Sequence, residues 1–206
     1  MSFEKAAEIG RYLKKFTVGI AGCGGLGSNC AAALARAGVG RLVIADFDIV
    51  TIHSLRRQYY FHDQIGRLKV HALKDNLLRI NPEIIVKAFD MKLCTSDIVD
   101  LFSHCDVIVE AFDKPEMKYM IIETVLTKIP GKPLVAGVGL AGWGNTNLLK
   151  SREAGNLVVC GDGVSEVSDI VPALAPRTGI VANMQANEVL NQLLKNYIPE
   201  EQEGGQ

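Results

Sequence analysis

Short apolar runs alternate with amphipathic stretches along almost the whole chain. The runs at 17–22, 41–45, 84–89, 106–110 and 133–138 are dominated by Val, Ile, Leu and Ala and hold few polar positions, the pattern of strands buried on both faces. Helical periodicity fills the gaps. It is seen at 25–37, a small-residue helix ended by Gly38 and Gly40. It returns at 64–80, where Val70, Leu73, Leu77 and Ile80 share a face and Asn81-Pro82 stops the helix. A short helix carries Ile98, Leu101 and Phe102, and another spans 115–128 with Pro115 in its first turn. A polar helix over 1–16 precedes the first strand, and one over 178–196 follows the last. Beyond 138 the alternation loosens into a glycine-rich region with edge strands expected at 146–150 and 157–159. The pattern predicts an α/β fold: a doubly wound, mostly parallel sheet with helices on both faces and a glycine-rich edge towards the C-terminus. We read one domain over 1–198 and a polar, disordered tail over 199–206.

Two stretches break the periodicity and carry chemistry. In Val18-Gly19-Ile20-Ala21-Gly22-Cys23-Gly24-Gly25-Leu26-Gly27-Ser28 an apolar strand runs into Gly22, Gly24 and Gly27, and a helix opens near Gly25. Glycines permit the tight turn and a close approach to phosphate, and the helix start offers free N–H groups. Asp46 ends the next strand, where a carboxylate can accept bonds from ribose hydroxyls. These are the marks of a Rossmann-like nucleotide site. The second stretch is the connection 47–67, long and polar but with enough aromatic and aliphatic residues to be ordered.

The strand ends gather charge. The second strand brings Asp46 and Asp48, the connection brings Arg56, Arg57 and Gln58, and the following helix brings Lys69. Asp113 lies just past the fourth strand. Several cations beside a glycine loop suit a triphosphate better than a pyrophosphate bridge. A carboxylate opposite that loop suits Mg²⁺ held jointly by phosphates and acids. The constellation therefore favours Mg-ATP over NAD, although the cations also fit a solvated basic face and Asp113 also fits a helix N-cap.

Composition narrows the class. The net charge of −1 gives no reason to expect a nucleic acid or an acidic membrane as partner. No apolar run reaches membrane-span length, and the start is no signal peptide. The five cysteines are odd in number and hold no C-x-x-C pair, which excludes a tetrathiolate zinc site and predicts a reducing, cytoplasmic setting. Cys160 follows an apolar run and reads as a structural thiol, with a covalent role as its alternative. The four histidines show no ligand spacing.

Six ordered blocks resemble the ThiF/MoeB/HesA-type adenylyltransferases related to ubiquitin-activating enzymes. They are Gly22-Cys23-Gly24-Gly25-Leu26-Gly27-Ser28, Asp46-Phe47-Asp48-Ile49-Val50, Leu55-Arg56-Arg57-Gln58, Ile65-Gly66-Arg67-Leu68-Lys69, Arg79-Ile80-Asn81-Pro82 and Ala111-Phe112-Asp113. Cys160-Gly161-Asp162, Ala175-Pro176-Arg177 and Gln185-Ala186-Asn187 make the chain most similar to the short ThiF form. The resemblance covers about residues 17–195. It implies adenylylation of the C-terminal glycine of a ubiquitin-like, ThiS-like sulfur carrier ending in Gly-Gly, with release of pyrophosphate, in thiamine biosynthesis and by a homodimer. By position it implies Asp46 on the ribose, Gly22, Gly24 and Gly25 bordering the nucleotide, Arg57, Gln58 and Lys69 on the phosphates, and Asp113 on magnesium. Ser54 stands where the family usually has Asn. Two other readings stay open: an NAD-dependent oxidoreductase, resting on the glycine fingerprint and Asp46, and a catalytically silent nucleotide-binding module.

Overall fold

The structure is a computed structural model that describes residues 2–199. Its strands are β1 (Thr17–Ala21), β2 (Arg41–Asp46), β3 (Ile85–Asp90), β4 (Val107–Glu110), β5 (Leu134–Val138), β6 (Lys150–Ala154) and β7 (Leu157–Gly161). Its helices are α1 (Ser2–Leu13), α2 (Gly25–Ala37), α3 (Lys69–Ile80), α4 (Thr95–Phe102), α5 (Pro115–Lys128) and α6 (Ala175–Leu193). The seven strands lie in the order β3-β2-β1-β4-β5-β7-β6, all parallel except β6, which runs antiparallel to β7. The doubly wound sheet predicted from the alternation is the one that forms.

The inner strands β1, β2, β4 and β5 feed a core on either face, which is why their runs lack polar positions. In β2, Leu42 and Ile44 face one core, completed by Leu34 of α2, Leu73 of α3 and Val181 of α6. Val43 and Ala45 face the other, completed by Ile98 and Phe102 of α4 and by Ile121 and Val125 of α5.

Three boundaries differ from the sequence reading. The helix expected from 64 begins at Lys69. The Gly66 amide donates to the Val50 carbonyl and the Val50 amide to the Arg67 carbonyl, so bonds to another segment claim the groups a helical turn would need. Gly66 also has φ +88°, outside helical space. The edge strand expected at 146–150 is a 3₁₀ turn, Thr146–Leu148, followed by β6, whose five residues are all exposed and so give no apolar signal. The last helix starts at Ala175, with Pro176 in its first turn. The expected tail, past residue 199, lies outside the described residues.

Candidate active site

The strand order reverses between β1 and β4, and the crevice at their carboxyl ends is where doubly wound sheets take ligands. The glycine loop leaves β1 at Gly22, whose φ of +95° suits no other residue. A Cβ on Gly27 would stand 1.8 Å from the Gly22 carbonyl oxygen, so the loop folds directly onto the first turn of α2. Gly24 is the N-cap of α2 and no side chain among the described residues caps the helix, so its first amides are left for an anion.

Asp46 braces this loop. The Cys23 amide donates to Asp46 Oδ2 at 2.7 Å, and the Asp48 amide donates to Oδ1 at 2.8 Å. The Asp48 carboxylate in turn accepts from Lys69 Nζ at 2.7 Å, and its backbone carbonyl accepts from the Lys69 amide at 2.9 Å. The Lys69 side chain is buried against a half-exposed partner.

The connection 47–67 contains two 3₁₀ turns, Ser54–Arg56 and His62–Gln64. It is stitched over the start of α2. The Tyr59 amide donates to Ser28 Oγ at 2.9 Å, and Asn29 Nδ2 donates to the Arg57 carbonyl at 2.9 Å. Tyr60 is buried, and its hydroxyl donates to the Cys23 carbonyl at 2.8 Å. Burial drives its phenol far towards the neutral form. Asn76 of α3 holds the Tyr59 carbonyl at 2.9 Å and exchanges bonds with Gln64.

These bonds lay the stem of Arg57 across Gly25, where an added Cβ would meet Arg57 Cγ and Cδ at 3.5 Å. Among the described residues the Arg57 guanidinium has neither a hydrogen bond nor an ion pair. Gln58 Oε1 is buried without a partner among the described residues, an orphaned acceptor in the same turn. Ser54 is buried and its hydroxyl accepts from the Thr51 amide at 3.0 Å, which turns it into its own loop.

Across the loop, the Ala111 amide donates to the Ala21 carbonyl at 2.9 Å, and the Ala111 carbonyl sits 2.8 Å from where a Cβ on Gly22 would be. Asp113 follows, exposed. The N-cap of α5 is Lys114, so the capping role open to Asp113 in the sequence is not taken up. Its carboxylate has no hydrogen-bond partner among the described residues. No group of three His, Cys, Asp or Glu side chains converges on a metal position among the described residues.

A second cluster closes the far side. Arg177, buried at the start of α6, donates to Asp162 Oδ2 at 2.5 Å and to the Gly144 carbonyl at 2.8 Å. Burial alone would raise the Asp162 carboxyl, but the Ser165 and Val164 amides and Arg177 outweigh it and hold it at about 2. Cys160 lies in the core, its thiol pushed up to about 11 by burial. Burial also raises the Cys23 thiol.

The structure thus brings Gly22, Gly24, Gly25, Gly27, Asp46, Asp48, Arg57, Gln58 and Lys69 into one corner, with Asp113 across the loop, and leaves Cys160 apart. Sequence reading missed Tyr60, Asn29 and Asn76, whose spacing has no local signature. Asp162 and Arg177 lay within quoted blocks without a role.

This arrangement defines a doubly wound α/β domain with a glycine loop at its switch point. The chain belongs to the ThiF family, whose model matches residues 5–205. It is 32% identical over 150 residues to an adenylyltransferase and sulfurtransferase UBA4 of Scheffersomyces stipitis, covering 72% of this chain and 33% of that protein. It is 37% identical over 127 residues to a probable adenylyltransferase/sulfurtransferase MoeZ of Mycobacterium tuberculosis, covering 61% of this chain and 32% of that one. The chain therefore spans about a third of the length of these relatives. In fold it resembles the Escherichia coli tRNA N6-threonylcarbamoyladenosine dehydratase TcdA solved with ATP. The TM-score is 0.82 at 18% identity, over 91% of this chain and 89% of that one.

Proposed function

We propose that this chain is an ATP-dependent adenylyltransferase that activates the C-terminal glycine of a ubiquitin-like sulfur carrier of the ThiS type, in thiamine biosynthesis. The observation that carries the reading is the pairing of two unsatisfied charges around one glycine loop. The stem of Arg57 lies against Gly25 at the open start of α2, and Asp113 follows the Ala111–Phe112 segment that packs on Gly22 at the other side of the loop. The names of the UBA4 and MoeZ relatives and the ATP in the TcdA structure support it.

In this reading Asp46, already braced by the loop amides, accepts from the ribose hydroxyls, since each carboxylate oxygen keeps a free lone pair. Arg57, Gln58 and the α2 amides hold the phosphates, with the buried Ser54 shaping the turn beneath them. Lys69 waits on Asp48 at the same corner, pre-aligned for a phosphate oxygen. Asp113 fits Mg²⁺, a hard cation that takes one or two carboxylates and fills its shell with phosphate oxygens and water. When bound, the metal neutralises phosphate charge.

The nucleophile needs no general base. A terminal carboxylate has a pKa of roughly 3.5 and is ionised at neutral pH. Its oxygen forms a bond to the α-phosphorus as the bond from that phosphorus to the bridging oxygen breaks, and the electron pair leaves on pyrophosphate. The barrier is anion meeting anion, which positioned cations lower. We propose further that the chain works as a homodimer. A groove of about 620 Å³ along α6, lined in part by Pro176, Ile180 and Met184, and the exposed Trp143 supply apolar surface for a second copy or a carrier tail.

ATP–pyrophosphate exchange tests the reading. Exchange that requires both Mg²⁺ and a carrier ending in Gly-Gly, and that is lost in Asp113→Ala and Arg57→Met, is expected. ATP binding without exchange for any carrier would support the silent module, and NAD binding in place of ATP would support the oxidoreductase.

A further inference from the structure

One buried ion pair at the carboxyl end of β4 is not used by the chemistry above. Glu110 is fully buried, and Lys118 of α5 donates to both its oxygens, at 3.0 and 2.9 Å. The third Lys118 proton goes to the Gly137 carbonyl at 2.8 Å, so the ammonium is saturated. Glu110 Oε1 also accepts from the Phe112 amide at 2.7 Å, and Gln185 Nε2 holds the Glu110 backbone carbonyl at 2.9 Å. The residue before Asp113 is thus tied to the Glu110 carboxylate, and the helix after it is tied to the same carboxylate through Lys118. Asp113 itself touches neither. Its position is set from both sides through the backbone.

We propose that Glu110 and Lys118 are positioning residues for Asp113, and that through it they set the divalent-cation affinity of the nucleotide site. A neutral pair would fill the space as well, and burying a charged one carries a desolvation penalty. What the charges add is direction: three bonds from one ammonium and three onto one carboxylate fix the 111–114 turn against both β5 and α5. Partners one shell removed from a metal ligand commonly tune its affinity in this way. The inference rests on the nucleotide reading given above.

The test is equilibrium binding rather than turnover. Binding of a fluorescent ATP analogue is measured by anisotropy with and without Mg²⁺, and the ratio of the two Kd values reports the metal's contribution. Glu110→Gln should shrink that ratio about tenfold while leaving metal-free Kd within about twofold. Lys118→Arg, which keeps the positive charge and can donate to both Glu110 oxygens, should retain the ratio. Adding Glu110→Gln to Asp113→Ala should have no further effect on it. Should the single variant not fold, Glu110→Gln with Lys118→Met removes both charges and is expected to shrink the ratio in the same way. An unchanged ratio in the folded variant, or an equal loss of affinity with and without metal, would overturn the proposal. If the wild type binds no ATP, or Asp113→Ala keeps the full ratio, the nucleotide reading itself has failed.

Discussion

The hydroxyl of Tyr60 donates to the carbonyl of Cys23 across 2.8 Å, joining the long connection to the glycine loop 37 positions earlier. The bond is buried, so removing its donor leaves a carbonyl without water to replace it. Tyr60→Phe should lower stability by about 1–2 kcal/mol and weaken ATP binding several-fold. Urea unfolding and calorimetric titration measure the two. Because burial keeps the phenol neutral, the difference from wild type should stay flat from about pH 6 to pH 9. A pH-dependent difference would show that the phenol ionises in the folded protein.

Two glycines of one loop should respond in opposite ways. At Gly27 a Cβ would collide with the Gly22 carbonyl at 1.8 Å, so Gly27→Ala should destabilise the domain by about 3 kcal/mol or prevent folding. At Gly24 a Cβ would meet nothing within 4 Å, so Gly24→Ala should change the melting temperature little. In the nucleotide reading it should nonetheless weaken ATP at least about tenfold, because the new methyl stands where the phosphates approach. A large loss of stability in Gly24→Ala would refute this division.

The Asp162–Arg177 pair has a definite pH signature. Asp162 is held at about 2 in the folded chain, against about 3.9 for an unfolded aspartate. A depressed carboxyl stabilises the fold above the unfolded value and loses that contribution as pH falls through the folded one. Its share is roughly 2 kcal/mol, present above about pH 4 and gone below about pH 2. Asp162→Asn should destabilise at neutral pH, where it leaves Arg177 buried without its countercharge, and the gap from wild type should narrow as pH drops from about 4 to 2. Urea midpoints across that range decide it, and a constant gap would argue against the pair.

Thiol labelling separates the cysteines. Cys160 is buried and pushed up to about 11, so at pH 7.5 only about one molecule in a thousand or fewer carries the thiolate. Iodoacetamide should modify the exposed Cys94 first in native protein and reach Cys160 only after unfolding. Mass spectrometry of timed samples reads this directly. Rapid native labelling of Cys160 would restore a covalent role as a live possibility.

Much of this protein was legible in its sequence because the deciding forces were local. The run Arg41-Leu42-Val43-Ile44-Ala45 announces a strand buried on both faces whatever its neighbours are. Gly22 and Gly27 announce a turn because their own backbones require one. Asp46, Arg57, Lys69 and Asp113 could be gathered at the strand ends by counting along the alternation. Only the tertiary structure decided the rest. β6 forms from exposed residues because β7 offers it an edge, so nothing in Lys150–Ala154 marked it. α3 starts late because bonds to Val50 claim the preceding backbone. Which charges stay free is also a tertiary fact: Lys69 and Lys118 find carboxylates in the folded chain, while Arg57 and Asp113 find no charged partner among the described residues. Periodicity and turn chemistry act within a few residues, whereas the pairing of charges depends on distances that exist only once the sheet has assembled.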